Sequence, residues 1–524
     1  MVGAGAAGAA ASWRLSTEGL KVVCLEQGSR VDPAQYPSTK SDWELAQLTD
    51  FSPFPGVRQG PSDYPIDDGD SAIAVANFNA VGGSTILYSG HFPRFHPSDF
   101  AVATLDNVAD DWPISYRDLE PYYALNDKMM GVAGLEGDPA YPPIKNLLPP
   151  VPMGKVGAVL GEGFNRLGWH WWPAYSAIAT RAVGHRAQCI NLGPCNSGCS
   201  QGAKGSVDVT YWPIALKNGV DLRTESCVRE IVLDDEDSVR GVVVIRSDKS
   251  EYFLSARAVV LACSGIGTPR LLLASTSSRF PNGLANSSGM VGRRLMMHPC
   301  GYIEGLFTEE LESHLGPQGC VISSQEFYES DLSRGFVRGF TFQVLRGPSP
   351  VEAAVNGVLR KEIKWGDNHH DDFERRFGHI ASMAVIVEDL PDVENCVTLS
   401  KNQVDRFGLP GVKVSYKLGE NSKKMMSYAL SRGRELMVAA GAHRTTAFGP
   451  VRETGWHLMG TTRMGNAASD SVVDRFGRCH DLKNLYIADS SVFVTSGGVN
   501  PTSTLQALAL WIADHLREDL ATHA

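Results

Sequence analysis

The sequence predicts an α/β fold of two domains. Three observations predict it. A turn, Gly3-Ala4-Gly5-Ala6-Ala7-Gly8, opens an Ala-rich helical run. A buried apolar run, Lys21-Val22-Val23-Cys24-Leu25, follows and ends on Glu26. The chain then continues to 524 residues, too long for one ordinary core.

Composition narrows the classes. Apolar residues make up 43% and charged residues 20%, as in a globular protein. The net charge of −10 argues against a nucleic-acid partner or an anionic membrane surface. No apolar run reaches the roughly 18 residues of a membrane span. Ten cysteines in so long a chain do not form a secreted disulfide framework. The expected setting is cytoplasmic.

The first element is the opening half of a Rossmann βαβ unit. Gly3 allows a tight turn, Gly5 lets a pyrophosphate approach the backbone, and Gly8 lets helix and strand pack closely. The helix N-terminus offers N–H groups to phosphates. Glu26 would accept from ribose hydroxyls. Only Met1 and Val2 precede Gly3, whereas such a unit begins with a strand of about five residues. The chain is therefore expected to start inside its first strand.

A second strand-turn-helix pattern lies at Ala258 to Ala262 and Ser264-Gly265-Ile266-Gly267-Thr268-Pro269-Arg270. Arg270 stands at its third glycine position, so it is a poor second dinucleotide site. The C-terminal block supplies the chemistry. His457 sits in His457-Leu458-Met459-Gly460-Thr461, and Asn500 comes just before Pro501-Thr502. Oxidising a hydroxyl requires removal of its proton and stabilisation of the alkoxide left behind. A neutral imidazole can take the proton near neutral pH, and an amide can hold the oxygen. Pro501 suits the first turn of a helix, and Leu505, Leu508, Ala509 and Ile512 continue it at helical spacing to Leu516. The positive end of that helix, at Pro501 and Thr502, can face a reduced flavin. One dinucleotide site with a remote base fits a bound flavin better than a dissociable nicotinamide.

These residues resemble the glucose–methanol–choline (GMC) oxidoreductases, flavoenzymes that oxidise alcohols and sugars. The likeness runs through Gly3 to Gly8 with Glu26, Val81-Gly82-Gly83-Ser84-Thr85, and Asp111 to Tyr116. It continues through Ser264 to Arg270, Val291 to Pro299, and the His457 and Asn500 blocks. The order of these six is as specific as their content.

The resemblance implies a Rossmann-like FAD-binding domain assembled from separated segments, here 1–100, 201–298 and 446–524. It implies an α+β substrate domain with an antiparallel sheet, here 101–200 and 299–445 with lid segments. It places Gly82, Gly83, Ser84, Val228 and Asp489 with Gly3, Gly5, Gly8, Glu26, Pro501 and Thr502 as cofactor-binding residues. The catalytic pair is of the His–Asn type, His457 as base and Asn500 as donor. Some relatives attach the flavin through a histidine in the loop after the paired glycines. Leu87 stands there in this chain, so noncovalent FAD is expected.

The remaining segments carry weaker signals. Residues 31–75 read as surface loops or a lid. Asp118 to Leu135 and Glu420 to Ala440 read as helices, and Val412 to Tyr416 as a strand. The acidic run Asp234-Asp235-Glu236-Asp237 reads as a solvated hairpin turn. His298 and the aromatic run Trp169-His170-Trp171-Trp172 read as structural packing. Cys189, Cys195 and Cys199 are close enough in sequence for an iron–sulfur cluster, but buried or paired thiols are the expected state and no metal is assigned.

The expected function is FAD-dependent oxidation of an alcohol of a sugar, glycoside or polyol, reoxidised by oxygen or another acceptor. Two alternatives stand beside it. One is an aryl or aliphatic alcohol dehydrogenase passing electrons to a quinone or cytochrome. The other is a non-catalytic flavin-binding subunit.

Overall fold

The computed structural model describes residues 1–234, 238–319 and 321–522. Residues 235–237 of the acidic run fall outside this set, so that turn is not described. The strands on either side, Ser226–Leu233 and Val239–Arg246, pair antiparallel.

The predicted nucleotide unit is present. The helix Ala6–Thr17 starts on Gly5, and the strand after it is Val23–Leu25. Val2 bridges Leu25 on one side and Leu261 on the other, both in parallel. Val23–Leu25 pairs in parallel with Asp221–Arg223, and Val259–Leu261 with Leu485–Ile487. The chain start therefore sits at the middle of a strip of short parallel strands. The helices Ala6–Thr17 and Thr502–Thr522 lie against one another on this strip. Their contact joins the two ends of the chain and is reinforced by Arg14, whose Nε is 2.7 Å from Asp514 Oδ1.

The second layer is a six-stranded antiparallel sheet. Its order is Arg444–Phe448, Cys300–Leu306, Ile380–Val387, Phe340–Leu345, Ile322–Ser324 and Trp172–Pro173. Successive side chains point to opposite faces. Ile303, Phe342, Val344, Met383 and Val385 enter an apolar core with Met425, Ala429 and Leu436 of the helix Glu420–Ala439. The alternate residues Tyr302, Glu304, Gln343, Ser382 and Ala384 face a cavity. This alternation gives the sheet one wall of packing and one wall of chemistry.

Three elements differ from the sequence expectation. The first long helix runs Tyr116–Met130, stopping short of Leu135, because Gly131 turns left-handed at its end. Ser115 and Asp118 form its capping box. The last helix continues past Leu516 to Thr522. The strand expected at Val412 to Tyr416 runs Pro410–Ser415, and it pairs with Cys396–Val404 outside the six-stranded sheet. Val397, Val412 and Val414 pack with Ile266 of the helix Ser264–Ala274.

Trp169 packs edge-on against Phe327, with ring centroids 4.9 Å apart. Trp172 Nε1 donates to Leu135 O at 2.8 Å. Among the described residues no helix is long and apolar enough to cross a membrane.

Candidate active site

A cavity of about 990 Å³ runs from the glycine turn to the C-terminal block. Gly3, Gly5, Glu26, Gly83, Ser84, Val228, Asp489, Pro501 and Thr502 line it together with His457 and Asn500. Gly8 and Gly82 stand behind the wall. A Cβ on Gly8 would meet Gly3 O at 1.9 Å, so its role is packing. Gly82 N donates to Ala4 O at 3.0 Å and ties the two glycine loops together.

The nucleotide end has the features of a dinucleotide groove. A Cβ on Gly5 would meet only Gly83 Cα, at 4.0 Å, so the space beside it is open. Two buried hydroxyls facing the groove, Tyr64 and Ser264, have no protein partner. Burying a polar group without a partner costs roughly 1–3 kcal/mol, and a bound phosphate or sugar would satisfy both. Arg270 stacks over the Tyr64 ring at 4.2 Å, with Nη2 2.7 Å from Asp405 Oδ2. That packing explains why an arginine, not a glycine, fills this position.

Glu26 is more constrained than the sequence reading assumed. Its Oε2 accepts from Ala4 N and its Oε1 from Gly28 N, both at 2.8 Å. Burial nevertheless raises its pKa, those amide bonds opposing it. Each oxygen keeps a second lone pair for a ribose hydroxyl. Asp489 Oδ2 accepts from Ser264 N at 3.1 Å and Thr268 Oγ1 at 2.5 Å, and its Oδ1 accepts from Ser491 N at 2.9 Å. It braces the second strand-turn-helix beside the groove.

The chemical end is built on three chain segments. His457 follows a short turn at Arg452–Thr454, and Asn500 ends the loop that enters the C-terminal helix. His298, read from the sequence as structural, is brought to the same cavity. Its Nδ1 lies 2.7 Å from His457 Nδ1, and its Nε2 lies 2.7 Å from Gly497 O. A carbonyl can only accept, so His298 Nε2 carries the proton. Neutral His298 then has a bare Nδ1, which accepts from His457 Nδ1–H. The second ring nitrogen of His457, Nε2, is left bare.

Both rings are held neutral. Burial lowers the His298 pKa to about 4. Burial, then the neighbouring His298 and His91, hold His457 well below the ordinary imidazole value. Asn500 is buried, at 8% exposure, and its Oδ1 accepts from Gln343 Nε2. The cavity thus presents an unprotonated base, His457, and the carboxamide of Asn500, whose Oδ1 is taken by Gln343.

Gln343 and Tyr64 carry no signal in the sequence, and His298 reads there as structural rather than as a partner of the base. The Met297-His298-Pro299 block was the one available signal, since His298 lay inside a matched motif.

The three clustered cysteines make separate local contacts. Cys189 Sγ accepts from Asn191 N, Cys195 Sγ from Gln318 N and Cys199 Sγ from Lys204 N, at 3.4, 3.4 and 3.5 Å. The buried Lys204 Nζ donates to Ile86, Tyr88 and Cys195 carbonyls at 2.6–2.7 Å. Among the described residues no group of three or more His, Cys, Asp or Glu side chains could hold a metal ion.

Comparison with known proteins agrees with this arrangement. Family models described as GMC oxidoreductase match residues 155–300 and 391–509. A NAD(P)-binding Rossmann-like domain matches residues 1–46. The 2-methyl-1,2-propanediol dehydrogenase of Mycolicibacterium austroafricanum is 38% identical over 98% of this chain and 94% of its own length. The fructose dehydrogenase large subunit of Gluconobacter japonicus is 30% identical over 99% of this chain and 97% of its own. The crystal structure of pyridoxine 4-oxidase from Mesorbium loti superposes with a TM-score of 0.67 at 18% identity. It covers 99% of this chain and 98% of that one, which shows a shared fold.

Proposed function

This chain belongs to the GMC oxidoreductase family, and on that premise we propose that it oxidises an alcohol group of a polyol, sugar or glycoside with bound FAD. The observation that carries the reading is the Gly497–His298–His457 hydrogen-bond chain, which leaves His457 Nε2 bare, with His457 and Asn500 lining the cavity shared with the glycine turn. FAD, when bound, supplies the acceptor for the hydride that leaves the carbinol carbon. His457 Nε2 takes the hydroxyl proton as that carbon becomes a carbonyl. Asn500 Nδ2 donates to the oxygen as negative charge develops there. The start of the Thr502–Thr522 helix directs its positive end at the cavity.

The cofactor would be held by Gly3, Gly5, Glu26, Gly83, Ser84, Val228, Asp489, Pro501 and Thr502. Tyr64 and Ser264 join them through their unpaired hydroxyls. We assign the FAD as noncovalent. Leu87 is buried on the cavity wall and its hydrocarbon side chain offers no atom for a bond. Acid denaturation should leave the yellow chromophore in the supernatant. A yellow pellet would refute the assignment.

A polar patch of Tyr302, Glu304, Gln343 and Ser382 on the sheet wall supports a hydroxyl-rich substrate. The relatives named for 2-methyl-1,2-propanediol and fructose point the same way.

The test is anaerobic bleaching of the flavin across polyols, sugars, glycosides and aryl alcohols. Bleaching by polyols or sugars, lost in His457→Ala, supports the reading. Bleaching by aryl alcohols alone would favour the aromatic alternative, and no bleaching by any alcohol would leave a flavin-binding subunit. Peroxide formed on readmitting oxygen separates an oxidase from a dehydrogenase.

A further inference from the structure

We propose that Gln343 is a positioning residue of this site, fixing the Asn500 carboxamide so that Nδ2, and not Oδ1, faces the reacting oxygen. The inference rests on the reading of Asn500 as the donor to the developing alkoxide.

The placement of Gln343 is well determined. It lies in the strand Phe340–Leu345, paired on one side with Ser323 and on the other with Ala384. A strand held on both edges is a rigid platform. Phe342 and Val344, on either side of it, point into the apolar core. Gln343 points the other way, to the cavity, and is 3% exposed. A carboxamide so buried requires a partner. Its Nε2 donates to Asn500 Oδ1.

The bond resolves an ambiguity that asparagine cannot resolve alone. The two ends of a carboxamide have nearly the same shape and opposite chemistry, oxygen accepting and nitrogen donating. Half a turn about the last side-chain bond exchanges them. Pro501 restrains the Asn500 backbone to extended geometry, but it does not choose between the two ends. Gln343 does when its own carboxamide presents Nε2, as it does here. With Oδ1 held by Gln343, the Nδ2 hydrogens are turned away from the sheet.

The orientation matters for the chemistry. His457 Nε2 is already an acceptor. Were Asn500 to present Oδ1, two acceptors would compete for one hydroxyl proton, and the alkoxide would face a lone pair. With Nδ2 presented, the proton has one destination and the oxygen has a donor. Gln343 therefore acts through Asn500.

The experiment is anaerobic stopped-flow reduction of the holoenzyme's flavin by the alcohol that bleaches it best. The variants are Gln343→Leu, Gln343→Glu, Asn500→Ala and the double variant Gln343→Leu/Asn500→Ala. FAD content and melting temperature are measured for each. Asn500→Ala should lower the limiting rate about 100-fold, the loss typical of one oxyanion donor. Gln343→Leu should lower it at least about tenfold with KM little changed, and the double variant should be no slower than Asn500→Ala alone. Gln343→Glu keeps the shape if the leucine variant folds poorly. Its carboxylate can only accept, so it should turn the Asn500 amide around and slow reduction at pH 8. The rate should partly recover at lower pH, where the introduced acid regains a proton to donate. Single-variant losses that multiply in the double variant would overturn the proposal. So would a Gln343→Leu effect confined to KM, or a Gln343→Glu rate with no acid recovery. If no alcohol reduces the unmodified enzyme, the functional reading itself fails, and that result is separate from all of these.

Discussion

Nδ1 of His298 and Nδ1 of His457 stand 2.7 Å apart, with their ring planes at 84°. Two nitrogens at that distance cannot both carry a proton. The carbonyl of Gly497, 2.7 Å from His298 Nε2, decides which one does. A backbone oxygen in the loop before Asn500 thus sets the tautomer of His457 through an intervening ring. The same loop carries the amide and, through His298, holds the base.

If His298 fixes that tautomer, removing its acceptor should impair proton removal without emptying the site. His298→Phe keeps a planar ring but offers no acceptor to His457 Nδ1–H. It should lower the anaerobic flavin reduction rate by about 10² or more, approaching the loss in His457→Ala, about 10² to 10⁴. His298→Gln can still accept and should retain more activity than the phenylalanine variant. Equal losses in the two variants would argue that His298 only fills space. FAD content should be unchanged in both.

The pH dependence follows from burial. His457 is held neutral, with its pKa depressed below the ordinary value of about 6.5. A base works unprotonated, and a depressed pKa keeps it so to lower pH. The reduction rate should therefore be level through neutral pH and fall only in acid. The same sign applies to stability. His91 and His298 have folded pKa values near 4, and His96 near 3. Below about pH 6.5 the unfolded chain binds protons that the folded one refuses. Stability held above that value should be lost as pH falls from 6.5 towards 4 and below. A rate profile with an inflection near 7 would mean that His457 is not the titrating base.

The two glycines of the turn make a contrasting prediction. On Gly8 a methyl group would strike Gly3 O at 1.9 Å, a backbone atom that cannot move aside. On Gly5 it would meet only Gly83 Cα at 4.0 Å. Gly8→Ala should destabilise the apoprotein in a thermal melt. Gly5→Val should leave the apoprotein melt nearly unchanged yet weaken FAD binding in a fluorescence titration. Equal FAD affinity in Gly5→Val would remove the pyrophosphate from that position.

That contrast also marks what was legible in the sequence. The nucleotide unit was legible because its strand, turn and helix are local, and glycine spacing encodes their close approach. His457 and Asn500 were legible as residue types suited to one reaction. Their supports were not. His298 meets His457 across 159 residues and Gln343 meets Asn500 across 157. Contacts so distant leave no periodicity, and a buried Gln on a strand reads as an ordinary polar residue.

The last prediction concerns what holds the loop before Asn500. Gly498 N donates to Tyr328 Oη at 3.0 Å, and that hydroxyl donates to Asp99 Oδ2 at 2.7 Å. Asp99 in turn shares Arg338 with Asp106 and Glu388, at 2.5, 3.0 and 3.0 Å. Arg338 is 1% exposed, so one buried guanidinium faces three carboxyl groups. Burial raises the Asp99 and Glu388 pKa values, and Arg338 opposes the rise. Removing the cation leaves its partners uncompensated, which costs about 3–5 kcal/mol. Arg338→Leu should show that loss in urea unfolding. The loss should grow with pH. A carboxyl whose folded pKa is raised stabilises the fold while protonated, and that contribution disappears as pH rises through the folded value. Tyr328→Phe tests the link to the site. It keeps the ring but frees Gly498 N, so it should slow flavin reduction more than it lowers stability. An Arg338→Leu protein with unchanged unfolding at pH 6 and pH 8 would show that the cluster does not brace this loop.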